Sequence, residues 1–107
     1  YLTLPERGCE EWDVDAQPEG FNQLLTDAET DVPIIVMAGR FDPITPPEGS
    51  QAVADALNVE LLTFPNAGHG AVGSSDCAQE IWFAFMDDPT RYPNTSCMED
   101  LGPPEFA

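Results

Sequence analysis

Val32-Pro33-Ile34-Ile35-Val36-Met37-Ala38 is an unbroken apolar run, rich in β-branched residues, that stops at Gly39. A strand with one face in water alternates apolar and polar residues, whereas a strand covered on both faces has no need to. The run therefore predicts a doubly covered strand of a parallel sheet, and such a strand expects neighbours on either side.

Gly39-Arg40-Phe41-Asp42-Pro43-Ile44-Thr45-Pro46-Pro47 follows as a loop. Thr45 is placed to cap a helix, and a proline just inside the first turn costs nothing because that N–H has no partner. Ala52, Val53, Ala56 and Leu57 recur at helical spacing and predict a helix from Pro46 to Leu57 with those residues on its buried stripe. Val59-Glu60-Leu61-Leu62-Thr63-Phe64 predicts a second strand, and Pro65-Asn66-Ala67-Gly68-His69-Gly70 is rich in turn formers. A second helix is expected from Asp76 to just before Pro89, with Gln79 completing an N-terminal box and Ala78, Ile81, Trp82 and Phe85 as its apolar face. Trp82, Phe83 and Phe85 are expected in the core rather than as a stacking surface for substrate.

Upstream, residues 1–31 are acidic and interrupted by Pro5, Gly8, Pro18 and Gly20, with Phe21-Asn22-Gln23-Leu24-Leu25 as a candidate short helix. Pro93, Gly102, Pro103 and Pro104 predict an irregular end. The expected organisation is an irregular lead-in over 1–31, an α/β unit over 32–97 and an irregular tail over 98–107. Strand, helix, strand, helix in that order predicts an α/β fold with a parallel sheet and helices packed on its faces. Two strands alone would leave apolar faces and edges uncovered, so the sheet is expected to be incomplete, its other strands lying on the N-terminal side.

Asp42 lies just past the end of the first strand and His69 just past the end of the second, 27 positions later. A right-handed strand–helix–strand crossover makes the strands parallel and brings both ends to one rim, where ligand sites of open α/β sheets are found. There a carboxylate can accept the imidazole N–H and fix its tautomer. Pro43 disfavours helical geometry at Asp42, and Gly68 and Gly70 free the backbone around His69. Read singly, Asp before Pro is a turn residue and His between glycines a loop residue. Read together, Asp42 and His69 become the candidate catalytic residues, His69 being the sole histidine of the chain.

The composition narrows the function classes. With 20 acidic residues against three basic ones (Arg7, Arg40 and Arg91), the chain carries a net charge of −17. Nucleic-acid binding needs cationic side chains to displace counterions, and an anionic membrane surface repels such a chain, so neither partner is expected. The acidity reads first as a solvated surface, with a cationic partner as the alternative. No apolar run approaches the length of a membrane span. Tyr1-Leu2-Thr3-Leu4-Pro5 has neither the basic nor the apolar region of a signal peptide and no starting Met, so a processed or truncated product is expected. The 107 residues suffice for one small domain. Cys9, Cys77 and Cys97 form no C-x-x-C and no Cys/His cluster, so no metal site is expected, and no cofactor is implied.

Gly39-Arg40-Phe41-Asp42-Pro43-Ile44-Thr45-Pro46 resembles the G-x-x-D-P-x-T-P acid loop of α/β-hydrolases, and Ala67-Gly68-His69-Gly70 resembles their histidine loop. Cys9-Glu10-Glu11-Trp12 resembles a Cys-x-x-Trp element ahead of the acid strand, and the stretch from Cys77 to Cys97 resembles the family's closing helix and tail. Within that superfamily the chain is most similar to the C-terminal region of tripeptidyl aminopeptidase-like and prolyl aminopeptidase-like serine hydrolases. The resemblance implies the C-terminal portion of an α/β-hydrolase fold, with Asp42 as the triad acid, His69 as the base and the serine upstream. The chain itself has no G-x-S-x-G elbow, and Ser50, Ser74, Ser75 and Ser96 do not occupy one. No nucleophile is expected within it, and alone it is expected to be inactive. The resemblance favours a Cys77–Cys97 disulfide over free thiols; Cys9 is then expected to pair upstream of residue 1, and to be unpaired within this chain. Trp12 is open between the core and packing under the missing part.

The expectation is thus a C-terminal segment of a secreted serine hydrolase of the extracellular space or cell envelope. It would act on peptides with a free N-terminus, in partnership with the missing N-terminal part of the same hydrolase, whether continuous with it or as a separate complementing chain. An esterase on the same fold and a non-enzymatic acidic α/β binding module are the alternatives.

Overall fold

The computed structural model describes residues 30–106, together with positions 11, 15, 18 and 19. The short helix read at Phe21–Leu25, Trp12, the pairing of Cys9 and most of the 1–31 lead-in lie outside the described residues.

Two strands, β1 (Val36–Gly39) and β2 (Leu61–Phe64), pair in parallel with Val36 opposite Leu61 and Gly39 opposite Phe64. Helix α1 (Pro47–Ala56) connects them, and α2 (Asp76–Asp87) follows β2. Short 3₁₀ turns at Ala71–Ser74 and Ser96–Asp100 flank α2. The second of these occupies part of the stretch read as an irregular tail. The order strand, helix, strand, helix and the parallel pairing stand as the apolar pattern predicts.

β1 is shorter than the apolar run, and the way α1 ends accounts for this. Asn58 takes a left-handed conformation with φ 53°. Its N–H donates to the Asp55 carbonyl, and the Val59 N–H donates to that of Ala54 at 2.9 Å. This pair of bonds is the Schellman ending of a helix, with asparagine where glycine is commonest. It commits the Val59 N–H to the helix, so the ladder opens only at Leu61, and Val32–Ile35 have no partner there. Val32 is accordingly 68% exposed.

Both helix starts differ by a residue from the expected caps. α1 begins after Pro46, with no side-chain cap, because Thr45 is engaged elsewhere. Pro47, the first helical residue, gives up no hydrogen bond there. α2 is capped by Ser75, whose Oγ accepts the Ala78 N–H at 3.2 Å. That places Gln79 one position too late to complete the box, and it is exposed. Asp76 instead lies in the first turn, where a negative charge meets the positive end of the helix dipole.

The core gathers Leu62, Phe64, Ala67, Ala71, Cys77, Ala78 and Ile81, with Ile35, Met37, Cys97, Met98 and Leu101 packed against it. Phe64 and Ile81 are its largest fully buried side chains. Burial of each contributes about 1.5–3 kcal/mol. Leu62 and Phe64 thus face α2, while Leu61 and Thr63 line a groove with Pro47, Glu48 and Gln51 of α1. Successive strand residues point to opposite faces, so the two helices cover opposite sides of the sheet. On α1 the fully buried residue is Ala54, and Ala52 is exposed, which shifts the buried stripe from the one expected. On α2, Phe83 is 59% exposed and stacks edge-on against the neighbouring Trp82. It lies outside the core because it points away from the Ala78–Ile81 face. A disulfide joins Cys77 to Cys97 across 5.7 Å between Cα atoms and holds the tail onto the first turn of α2.

Candidate functional site

The parallel pairing carries the ends of β1 and β2 to a common rim, and backbone bonds extend the association past the strands. The Arg40 N–H donates to the Phe64 carbonyl and the Phe41 N–H to that of Ala67, at 3.1 and 3.0 Å. The two loops approach so closely that a Cβ on Gly39 would overlap the Gly68 carbonyl oxygen and come within 2.8 Å of the Ala67 carbonyl oxygen. Only glycine fits there. Gly70 adopts φ 84°, a left-handed conformation that turns the chain away immediately after His69.

Asp42 and His69 meet at this rim. His69 Nδ1 lies 3.1 Å from Asp42 Oδ1 and 3.0 Å from Oδ2. The carboxylate is otherwise held by its own loop. Oδ1 accepts the N–H groups of Ile44 and Thr45 at 2.8 and 2.9 Å, and Oδ2 accepts the Thr45 hydroxyl at 2.6 Å. The first of these bonds is an Asx turn, the local closure that Asp before Pro favours.

Burial of Asp42 raises its pKa, but the bonds from the Thr45 hydroxyl, the Thr45 and Ile44 N–H groups and His69 outweigh it. The carboxyl is held well below the usual carboxylate range. Ionised, it only accepts, so Nδ1 carries the imidazole proton. In the neutral ring Nε2 then keeps its lone pair, on a side chain that is 53% exposed. A carboxylate-oriented neutral imidazole with a free Nε2 can take a proton from a nucleophile and return it to a leaving group.

Both residues singled out from the sequence are therefore brought together. Two others that the sequence reading assigned differently belong with them. Thr45, expected as a helix cap, turns its hydroxyl onto Asp42. Gly39, read as the end of a strand, sets the spacing of the two loops. The Asp-x-x-Thr spacing was the available signal for Thr45, since a side chain three residues on closes back over an Asx turn. Gly39 left no local signal, because its constraint comes from a loop 28 residues away, at Ala67 and Gly68.

Elsewhere, Asn66 Oδ1 is a buried acceptor without a partner. A cavity of about 400 Å³ opens between Asn66 and Gly102, Pro103, Pro104 and Glu105, and neither Asp42 nor His69 lines it. Among the described residues, no three His, Cys, Asp or Glu side chains converge as metal ligands. No helix among them is long and apolar enough to cross a membrane.

A family model described as TAP-like protein, one of the α/β-hydrolase families, matches residues 2–97. No curated protein and no solved structure matches the chain.

Proposed function

The chain belongs to the TAP-like family of α/β-hydrolases, and from that premise we propose that it supplies the acid and base of a serine hydrolase, Asp42 and His69, to a nucleophile outside these 107 residues. The observation that carries this reading is the approach of His69 Nδ1 to both oxygens of a buried, ionised Asp42 at the rim where β1 and β2 end. The absence of a G-x-S-x-G elbow from the sequence supports placing the serine and the oxyanion-hole donors in the preceding part of the same hydrolase, whose C-terminal unit this chain would form.

In the assembled enzyme Nε2 of His69 removes the proton of the serine hydroxyl as Oγ attacks the scissile carbonyl. The imidazolium, its Nδ1–H held on Asp42, then protonates the leaving amine as the C–N bond breaks. Water repeats the sequence on the acyl-enzyme, returning the proton to Oγ and releasing the acid. Asp42 remains ionised throughout, as its low pKa requires.

The substrate class proposed is a peptide with a free N-terminus, cleaved near that end by an aminopeptidase-type exopeptidase. The Cys77–Cys97 disulfide supports an oxidising location, outside the cell or in the cell envelope. The test is kinetic. The chain joined to or co-expressed with its serine-bearing part is assayed on peptide amides with free and blocked N-termini and on short acyl esters. Turnover of the free-amine peptides, lost on Asp42→Ala or His69→Ala, is the expected result. Turnover of esters alone would make it an esterase. Activity indifferent to both substitutions would remove the acid–base assignment.

A further inference from the structure

We infer that Thr45 is a positioning residue for the acid–base pair: its hydroxyl completes a three-oxygen cradle that fixes the proton of His69 on Nδ1. This rests on the proposed roles of Asp42 and His69 and adds a residue that acts through them.

The geometry gives the two carboxylate oxygens unequal support. Oδ1 is pinned by two backbone N–H groups, Ile44 and Thr45, which any residue but proline at those positions would supply. Among the described residues Oδ2 has a single donor besides the imidazole, the Thr45 hydroxyl at 2.6 Å. The hydroxyl has one proton and spends it there, so toward His69 it presents only lone pairs. Its oxygen lies 3.4 Å from Nδ1, beside Oδ1 at 3.1 Å and Oδ2 at 3.0 Å. Three acceptors therefore converge on one ring nitrogen.

The need for such a cradle follows from exposure. A buried imidazole is held by the walls around it, but the His69 side chain is 53% exposed, and its side-chain partners among the described residues are Asp42 and Thr45. Without the hydroxyl, Oδ2 keeps only the imidazole among its partners in the described residues, and the ring loses one of the three acceptors that favour a proton on Nδ1. The helix-cap role cannot account for the placement, since α1 takes no side-chain cap.

The test compares Thr45→Val, which keeps the shape and loses the hydroxyl, with Thr45→Ser, which keeps the hydroxyl. His69 is the only histidine of the chain, so its ring ¹⁵N signals need no assignment. The expected result is Nδ1–H as the dominant neutral tautomer in the parent and in Thr45→Ser, and a mixed population in Thr45→Val. In the assembled hydrolase, kcat should fall about 10- to 100-fold in Thr45→Val, the range for losing an outer partner that orients an imidazole, with KM unchanged. Asp42→Asn, which removes the main acceptor, is the positive control for the tautomer signal. A parent tautomer in Thr45→Val alongside a disturbed one in Asp42→Asn overturns the role of Thr45 and leaves the pair standing. If the assembled protein hydrolyses nothing, the hydrolase reading fails, while the ring signals still decide the role of Thr45. Should valine disturb folding, Thr45→Ala is read in the same way.

Discussion

The acid loop and the histidine loop meet within hydrogen-bond distance yet are built on opposite plans. Asp42 is 5% exposed in its side chain and is tied by its own loop at Ile44 and Thr45 before any contact with His69. His69 is 53% exposed and is held by the residues of the other loop. One loop fixes a charge, and the other presents a ring whose orientation is borrowed. Each loop also has its own glycine: Gly39, at the root of the acid loop, because a Cβ there would meet the Gly68 carbonyl, and Gly70, after His69, because the chain takes a positive φ there.

The largest expected effect comes from removing the fixed charge. Asp42→Asn in the assembled hydrolase should lower kcat by about 10⁴-fold, because the amide favours the wrong imidazole tautomer. Steady-state rates check this, and a loss under tenfold would break the contrast by showing that His69 orients itself. Gly39→Ala comes next. A methyl driven against the Gly68 carbonyl should cost about 3 kcal/mol or more and separate the loops, read as a lower thermal midpoint together with loss of the Nδ1–H tautomer. Reduction or serine replacement of Cys77 and Cys97, which close a 20-residue loop, should cost about 3 kcal/mol while the His69 ring signals stay in place. That outcome would sharpen the comparison, since it separates stability held at α2 from geometry held at the rim.

The smallest effect is on the pH dependence of stability. Asp42 has a folded pKa below its ordinary 3.8, so its ionised form binds the native state more favourably than the unfolded one. Its contribution is fully present above that ordinary value and is lost as pH falls from there through the folded value. The many other carboxylates repel one another at net charge −17 and pull the opposite way as they protonate. The measurement is therefore differential: from pH 6 to pH 2 the parent should lose more stability in urea than Asp42→Asn does. Parallel curves would mean that Asp42 is not preferentially charged in the fold.

What the sequence made legible was what lies in local pattern and connectivity. The apolar run at Val32–Ala38, the second run at Val59–Phe64 and the helix between them suffice to place Asp42 and His69 at one rim, because parallel strands leave no other arrangement. The same run overstated β1, because its length in the ladder is set by where β2 can begin, and that depends on the Asn58 ending of α1. Threonine before a proline-led helix ordinarily caps it, and here a stronger acceptor three residues back, Asp42, takes the hydroxyl instead. Ala52 is an apolar residue at helical spacing that nonetheless faces outward, since periodicity identifies a stripe only to within a neighbouring position, and Phe83, expected in the core though it is off the Ala78, Ile81, Trp82 and Phe85 stripe, faces outward as well.

The close crossing of Gly39 over Gly68 has a mechanical consequence. With the Arg40 and Phe41 amides bonded across the gap, thermal displacement of the rim carries both loops in the same direction. The separation between the acid and the base is then a difference of two correlated fluctuations and varies less than either. The hydrogen bond from Nδ1 to the carboxylate can thus persist while the rim itself moves.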